Sequence, residues 1–252
     1  MTRSLFDVSD KTVVVTGASR GIGRAVAEGF LEQGAAVVLT ARSESLESQV
    51  DSYESDRALA VRGDIGDPTT AARICEAAVT RFTTIDVLVN NAALTLPGAP
   101  PYDDVTWQTT LDVNLSGAFR MAREAATVMR EHGGGSIINI ASIAGKLGMP
   151  DNPSYQAAKA GLRQLSRAMA RDFAVDGIRV NAVCPGYILT DMTRGSYDDP
   201  QRRAERTERT MLGRWGDPGE LVGPCLFLAS EASSYVTATD LFVDGGWSSK
   251  GM

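Results

Sequence analysis

The pair of residues with the clearest chemical potential in this 252-residue sequence is Tyr155 and Lys159. They lie four residues apart in a stretch that begins at Pro153 and has a helical pattern, so both side chains should share one helix face. A free tyrosine has a pKa of about 10, too high for a base at neutral pH, and a nearby ammonium group favours its phenolate form. The spacing therefore indicates a tyrosine that exchanges a proton with a ligand, assisted by the lysine.

A second candidate site is the glycine-rich segment 16–23, which follows a run of valines and precedes a helical pattern. Gly17, Gly21 and Gly23 would let the backbone approach a phosphate closely, and the free N–H groups of the following helix attract anions. The spacing is GxxxGxG instead of the GxGxxG of the general dinucleotide fingerprint. The segment predicts a site for the pyrophosphate of a dinucleotide.

The end of the second predicted strand indicates which dinucleotide binds. An NAD site normally has an acidic residue there, which binds the ribose hydroxyls. This sequence has Ala41 followed by Arg42, and Arg20 adds a second base in the glycine-rich segment. Two guanidinium groups suit a 2′-phosphate, which favours NADP(H). The alternative is that Arg42 is a solvated charge at the start of a helix.

Short β-branched segments alternate with longer helical patterns along the chain. The predicted strands are Thr12–Thr16, Ala36–Thr40, Ala58–Arg62, Asp86–Asn90, Ser136–Ala141, Arg179–Cys184 and Asp240–Val243. The predicted helices lie near 22–33, 43–54, 67–82, 104–131, 153–176 and 217–229. Nearly continuous Val, Ile and Leu indicates strands buried on both faces. We therefore expect an α/β fold, a Rossmann-like single domain over residues 1–252, with a doubly wound parallel sheet of about seven strands and helices on both faces.

Polar residues follow several predicted strands, and ligands of such sheets bind at the carboxyl ends of the strands. The irregular segment 187–218, rich in Arg and Glu, also follows a strand end. We expect this segment to be a loop and helix insertion that covers the substrate. A solvated surface helix is the simpler alternative.

Composition narrows the classes of function. The net charge of −6 argues against nucleic-acid binding. No apolar run approaches the roughly 18 residues of a membrane span, and no signal-peptide pattern is present. Three separated cysteines indicate reduced thiols, and the single histidine, His132, excludes any metal site that needs two histidine ligands. We expect a cytoplasmic protein without a metal or a membrane partner.

Several motifs occur in a fixed order around Tyr155 and Lys159. They are the glycine-rich segment 16–23, the segment 90–93, Asn114, Ser142 and the dipeptide 185–186. Together they resemble the short-chain dehydrogenase/reductase family over nearly the whole chain. One departure is Ala93, where that family most often has glycine; because the residue is still small, we expect little consequence.

The resemblance implies an NADP(H)-dependent oxidoreductase with four catalytic residues. Tyr155 would be the general acid in reduction and the general base in oxidation, and Ser142 would hydrogen-bond the substrate oxygen. Lys159 would bind the nicotinamide ribose and, with the cationic ring of the oxidised cofactor, lower the pKa of Tyr155. Asn114 would hold a water molecule that links Lys159 to solvent.

The resemblance also implies a cofactor site. Asp64 and Ile65 would flank the adenine, Asn91 and Ala92 would line the ribose side, and segment 188–190 would hold the carboxamide. The full set is Gly17, Ser19, Arg20, Gly21, Ile22, Gly23, Ala41, Arg42, Asp64, Ile65, Asn91, Ala92, Tyr155, Lys159, Pro185, Gly186, Ile188 and Thr190.

The substrate is less well defined by the sequence. A small ketone or secondary alcohol, including a sugar acid or polyol, fits a pocket of mixed apolar and amide groups. The predicted lining is Leu94, Ala144, Met149, Asn152, Gln156, Tyr187 and Met192. Lys146 or Arg194 could bind a carboxylate, although each is at least as compatible with a solvated charge.

The sequence leaves two alternative functions open, and the family resemblance also implies an oligomeric state. A 3-oxoacyl reductase acting on acyl carrier protein is less favoured, because acidic residues Glu131 and Asp176 stand where such enzymes present arginines to an acidic carrier. A catalytically inactive NADP-binding regulatory protein would fit better if Ser142, Tyr155 or Lys159 were missing. The resemblance implies a homotetramer that uses the helical segments 104–131 and 153–176 and the C-terminal segment 244–252.

Overall fold

The computed structural model describes residues 4–53, 55–96 and 99–250. Within these ranges, one sheet contains seven parallel strands in the order β3-β2-β1-β4-β5-β6-β7. The strands are β1 Thr12–Thr16, β2 Ala36–Ala41, β3 Ala58–Arg62, β4 Val87–Asn90, β5 Gly135–Ile140, β6 Ile178–Pro185 and β7 Asp240–Val243. The predicted doubly wound α/β sheet is confirmed, and each strand end lies within one residue of its predicted position.

Nine α-helices lie in the described ranges, some extended by short 3-10 or π turns. They are α1 Gly21–Glu32, α2 Leu46–Asp51, α3 Thr70–Phe82, α4 Asp104–Leu111, α5 Ala118–Glu131, α6 Pro153–Phe173, α7 Arg194–Asp198, α8 Pro200–Arg209 and α9 Val222–Ala229. In the described part of the chain, no helix combines the length and the apolar character that crossing a bilayer requires.

The strand order reverses beside β1. The chain runs outward from β1 through β2 to β3, then returns to place β4 against the other side of β1. The connections after β1 and β4 therefore leave the sheet in opposite directions and open a crevice at its carboxyl edge. This crevice is where a ligand of the sheet is expected to lie.

Two apolar layers fix the sheet between its helices. On β1, Val13 and Val15 face a cluster that includes Phe30 of α1, whereas Val14 faces a cluster that includes Met121 of α5. All three valines are fully buried. Alternate residues of one strand thus bury opposite faces, which explains the unbroken apolar runs.

The helical stretch predicted near 104–131 is confirmed, and it contains a π-helical turn that the sequence did not predict. A π-helical turn, Asp112–Gly117, separates α4 from α5. At this turn, the backbone of Gly117 lies so close to Ile65 that a Cβ would be 2.7 Å from the Ile65 carbonyl oxygen. The Asn114 side chain turns away to bond the loop after β4. These long-range contacts accompany the local change from α-helical to π-helical geometry.

Two other predicted helices begin differently from the prediction. The segment predicted near 43–54 is helical only in α2, because Ser43 and Ser45 hydrogen-bond each other in a turn before it. Residue 54 lies outside the described ranges. The segment predicted near 217–229 begins as a 3-10 turn with a capping box between Asp217 and Glu220, and continues as α9.

Candidate active site

The glycine-rich turn is tied to the loop after β4. The Thr16 hydroxyl oxygen accepts hydrogen bonds from the backbone N–H groups of Asn91 (3.0 Å) and Ala92 (2.9 Å). The Asn91 side chain donates to the carbonyl oxygens of Thr16 (2.9 Å) and Gly17 (3.1 Å). The two connections that border the crevice are therefore held as one unit.

This unit depends on glycine at two positions. Gly17 has a φ of +68°, and a Cβ there would lie 2.8 Å from the Ala92 Cα. A Cβ on Gly23 would lie 2.3 Å from the Gly17 carbonyl oxygen. Arg20, at the start of α1, makes no side-chain capping bond, so no side chain of that residue covers the first helical N–H groups. The turn fits a bound pyrophosphate, because bare backbone and a helix N-terminus face the crevice.

The two arginines expected at a 2′-phosphate both lie at this edge, and each faces a carboxylate. Arg42 approaches Asp64 at 3.5 Å, and Arg20 approaches Asp191 at 3.7 Å. All four side chains are exposed, and exposed pairs contribute only about 0–1 kcal/mol. An arriving phosphate can therefore replace the carboxylates as the partner of the guanidinium groups.

The predicted cofactor residues all lie at the carboxyl edge of the sheet, on neighbouring connections. They comprise the turn residues Gly17, Ser19, Arg20, Gly21, Ile22 and Gly23 after β1, Ala41 and Arg42 at β2, Asp64 and Ile65 after β3, Asn91 and Ala92 after β4, Pro185 and Gly186 at β6, and Ile188 and Thr190 beyond it. Thr190 approaches the turn closely, since a Cβ on Gly21 would lie 3.3 Å from its methyl carbon.

Tyr155 lies in the first turn of α6, beside Ser142 at the end of β5. Burial raises the pKa of Tyr155 to about 12; the Ser142 hydroxyl acts in the opposite direction, and Tyr187 adds to the rise. The prediction of a lowered pKa for Tyr155 is therefore wrong for the protein chain by itself. The physical reason is that loss of water around the phenol disfavours its charged form.

Lys159 lies one turn further along α6 and is only 2% exposed. Its Nζ donates a 2.7 Å hydrogen bond to the Ile140 carbonyl oxygen and lies 5.6 Å from the centre of the Tyr155 ring. Burial lowers the pKa of Lys159 to about 8, and Cys184 opposes this shift. The two side chains predicted to share a helix face do lie together.

Asn114 is buried in the π-helical turn and binds the backbone of Leu94 in both directions. Its Oδ1 accepts from the Leu94 N–H (2.8 Å), and its Nδ2 donates to the Leu94 carbonyl oxygen (2.9 Å). The side chain thereby holds the loop after β4 in place. The structure gives Asn114 a positioning contact that the sequence did not predict.

Several of the residues predicted to line the substrate pocket hold the loops next to Ser142 and Tyr155. Ala144 follows Ser142 closely, and its N–H donates to the Ser142 Oγ (3.0 Å). The amide of Gln156 binds the backbone of Met149 and Asn152, so it holds that loop. Met192 is 47% exposed.

Two cavities lie beside α8 and not at Tyr155. One, of about 340 Å³, is lined by Tyr187, by the segment 210–212 and by the end of β7. The other, of about 670 Å³, lies between α8 and the segment 213–217. Tyr187 is thus the predicted pocket residue that lines one of these cavities.

Comparisons with known proteins agree with this geometry. A family model described as enoyl-(acyl carrier protein) reductase matches residues 17–248. The L-rhamnose 1-dehydrogenase (NAD(P)(+)) of Azotobacter vinelandii is 40% identical over 252 residues, covering 94% of this chain and 96% of that protein. The 3-oxoacyl-[acyl-carrier-protein] reductase of Escherichia coli is 38% identical over 237 residues, covering 94% and 96%. The crystal structure of a gluconate 5-dehydrogenase from Burkholderia cenocepacia in complex with NADP and tartrate is 34% identical, with a TM-score of 0.93 and 98% coverage of both chains.

The chain belongs to the short-chain dehydrogenase/reductase family. This confirms the resemblance inferred from the motifs. In the described part of this short-chain dehydrogenase/reductase, no three His, Cys, Asp or Glu side chains are grouped as metal ligands.

A buried polar network lies behind the site and was not predicted from the sequence. The Asn90 side chain donates to that of Asn139 (2.9 Å), which in turn donates to the Ser166 hydroxyl (2.8 Å). The network links β4, β5 and α6, the elements that carry the candidate catalytic residues of this short-chain dehydrogenase/reductase. The available signal was an asparagine within the apolar run of β5.

Replacement of Lys159 by Met tests the electrostatics of the site. Between about pH 8 and pH 10.5 the folded wild type has lost the Lys159 proton while the unfolded chain retains it, so wild-type stability rises with pH. The Met variant lacks this gain. The free energy of unfolding of the variant, relative to wild type, should therefore fall by up to about 1.4 kcal/mol per pH unit in this window. Urea unfolding at pH 7, 8, 9 and 10 measures the difference; a difference that is independent of pH would contradict the lowered pKa of Lys159.

Proposed function

We propose that this chain transfers a hydride between NADP(H) and a small ketone or secondary alcohol, with Tyr155 as its general acid and base. One observation carries the proposal: Tyr155 lies beside Ser142 and over the buried Lys159 at the carboxyl edge of the sheet. The whole chain would act as a single dinucleotide-binding catalytic domain, since one sheet supplies every predicted site residue.

NADP(H), when bound, supplies or accepts the hydride. The backbone at Gly17 and Gly21 and the start of α1 would hold its pyrophosphate, and Arg20 and Arg42 its 2′-phosphate. The NADP complex of the Burkholderia cenocepacia relative supports this cofactor. The Azotobacter vinelandii relative is described with NAD(P)(+), which supports the nicotinamide class.

The chain's own residues would handle the proton. The Ser142 Oγ accepts from the Ala144 N–H, and the Ser142 hydroxyl also hydrogen-bonds the Tyr155 side chain. A substrate oxygen at this position would take the place of the phenol as the partner of the Ser142 O–H. Tyr155 stays protonated at neutral pH because burial raises its pKa, and it can give that proton to the same oxygen during reduction. For oxidation, the nearby Lys159 favours the phenolate when its ammonium group is charged.

The segment 187–218 would cover the substrate. It contains α7 and α8 and begins at Tyr187, beside the predicted pocket. The ion pair between Arg20 and Asp191 joins it to the glycine-rich turn. Closure of such a segment would exclude water from the reacting groups.

A sugar acid or polyol is the substrate class we favour. The relative named as a gluconate 5-dehydrogenase supports a sugar acid. The relative named as an L-rhamnose 1-dehydrogenase supports a polyhydroxylated, sugar-like substrate more generally. A second candidate is a 3-oxoacyl thioester on acyl carrier protein, favoured by the 38% identity to the Escherichia coli reductase. Against it, Asp176 forms a 2.6 Å ion pair with Arg130. The carboxylate thereby neutralises the positive charge of Arg130, which could otherwise attract an acidic carrier.

A reducing cytoplasm suits this chain. Cys75, Cys184 and Cys225 are buried and unpaired, and burial raises the pKa of each thiol to about 12. Thiols in this state are unreactive and need no disulfide to be stable.

Replacement of Tyr155 by Phe should lower turnover by about 10²–10⁴-fold, because it removes the proton donor and leaves the fold intact. NADPH binding, followed by fluorescence, should remain. Rates of NADPH oxidation with a panel of ketones, sugar acids and 3-oxoacyl thioesters measure the effect. Turnover equal to that of wild type would overturn the role of Tyr155, and NADPH binding without turnover in wild type would indicate an inactive regulatory protein.

Replacement of Arg42 by Ala tests the choice of cofactor. The dissociation constant for NADPH should rise about tenfold or more, since one charge-assisted contact to the 2′-phosphate is lost, whereas that for NADH should change little. Arg57→Ala is the control, because Arg57 bonds the Gly34 carbonyl oxygen at the opposite end of the sheet. Equal weakening of NADPH and NADH binding would refute a phosphate contact.

The chain should assemble as a homotetramer through α4, α5 and α6. Large apolar side chains remain exposed on these elements, including Val105 (72%), Trp107 (41%) and Phe119 (41%). Light scattering coupled to size exclusion should give about four times the 26.8 kDa chain mass. A mass equal to one chain would rule this assembly out.

A further inference from the structure

A stack of aromatic rings and arginines lies between α8 and the carboxyl edge of the sheet. The Tyr187 ring stacks on Trp247 (4.9 Å between centres) and meets the edge of Trp215 (5.1 Å). The Arg206 guanidinium lies over the Tyr187 ring, 4.7 Å from its centre. Such a contact fixes the plane of a guanidinium group and leaves its N–H groups free to bond elsewhere.

Unlike Arg202 and Arg214, Arg206 has a buried side-chain N–H group without a hydrogen-bond acceptor. Its Nε is buried without any acceptor, and its Nη1 donates a 3.3 Å bond to the Arg202 carbonyl oxygen. By contrast, Arg202 approaches Asp199 at 3.4 Å, and Arg214 approaches Glu220 at 2.6 Å. A buried, charged donor without an acceptor is costly, so this guanidinium group is less well satisfied in the protein than those of Arg202 and Arg214.

The position of Arg206 relates it to the reacting groups. Tyr187 directly follows Gly186 beyond β6, at the sheet edge that carries Ser142 and Tyr155. Tyr187 is also near enough to Tyr155 to contribute to its raised pKa. A cation over Tyr187 can therefore contact the far end of a substrate whose carbonyl or hydroxyl lies at Tyr155.

The two cations expected from the sequence to bind a carboxylate fit less well. The Lys146 Nζ donates to the Ser248 carbonyl oxygen (3.3 Å) and lies over the Phe242 ring. Arg194 is exposed to solvent at the start of α7. Neither combines a buried N–H with a missing acceptor.

We propose that Arg206 binds the carboxylate of an anionic substrate, a hydroxy acid or oxo acid. The inference rests on the proposed dehydrogenase function and adds a specificity-determining residue to it. The guanidinium would meet the carboxylate through charge-assisted hydrogen bonds from its terminal N–H groups. The aromatic stack would hold the guanidinium in place before the ligand arrives, which lowers the entropy lost on binding.

Calorimetric titration of the NADPH-loaded enzyme with two matched probes tests the proposal. D-gluconate and D-glucitol share a six-carbon polyhydroxy chain and differ in the terminal carboxylate. Wild type should bind gluconate at least about tenfold more tightly than glucitol. Arg206→Gln should abolish this preference, and Arg206→Lys, which keeps the charge, should retain part of it.

Arg202→Gln is the matched control, since it removes one positive charge from the same helix, at an exposed side chain away from the stack. It should keep the preference for gluconate. The proposal is overturned if wild type binds glucitol as well as gluconate, if it binds neither, or if Arg206→Gln keeps the preference.

The folded state and the proposed function are checked separately. NADPH affinity of Arg206→Gln equal to that of wild type shows that this variant is folded. Absence of any turnover in wild type would contradict the proposed dehydrogenase function. The preference of Arg206→Gln for gluconate over glucitol, by contrast, tests only the role of Arg206.

Discussion

The hydrogen bond from the buried Lys159 ammonium to the Ile140 carbonyl oxygen is the contact on which the site depends. It joins α6 to the last residue of β5, two residues before Ser142. Gly145 completes the junction, since a Cβ there would lie 2.8 Å from the Lys159 backbone. One contact therefore sets the distance between the elements that carry Ser142 and Tyr155.

The contact carries an electrostatic cost that the fold must offset. Burying an ammonium group disfavours its charged form, and burying a phenol disfavours the phenolate. The same loss of water therefore lowers the pKa of Lys159 and raises that of Tyr155. In the chain alone, Tyr155 is a proton donor, which suits the reducing direction.

Much of the fold and part of the site could be predicted from the sequence. Unbroken apolar runs identified all seven strands, and the spacing of Tyr155 and Lys159 placed both on one face of α6. The direction of the Tyr155 pKa shift could not be predicted, because it depends on burial by elements distant in sequence. The π-helical turn at Asn114 also escaped prediction, since its causes are Ile65 and Leu94. The stack around Tyr187 joins residues as far along the chain as Trp247, and no local pattern indicates it.

Because the chain contains few lysines, the pKa of Lys159 can be measured directly. The sequence contains four lysines, so side-chain NMR of protein labelled with ¹³C-lysine gives few signals, and the Lys159 signal is the one that Lys159→Met removes. Titration with pH should show this signal changing near pH 8. A Lys159 signal that titrates at or above the ordinary lysine value of about 10.4 would contradict a buried ammonium beneath Tyr155.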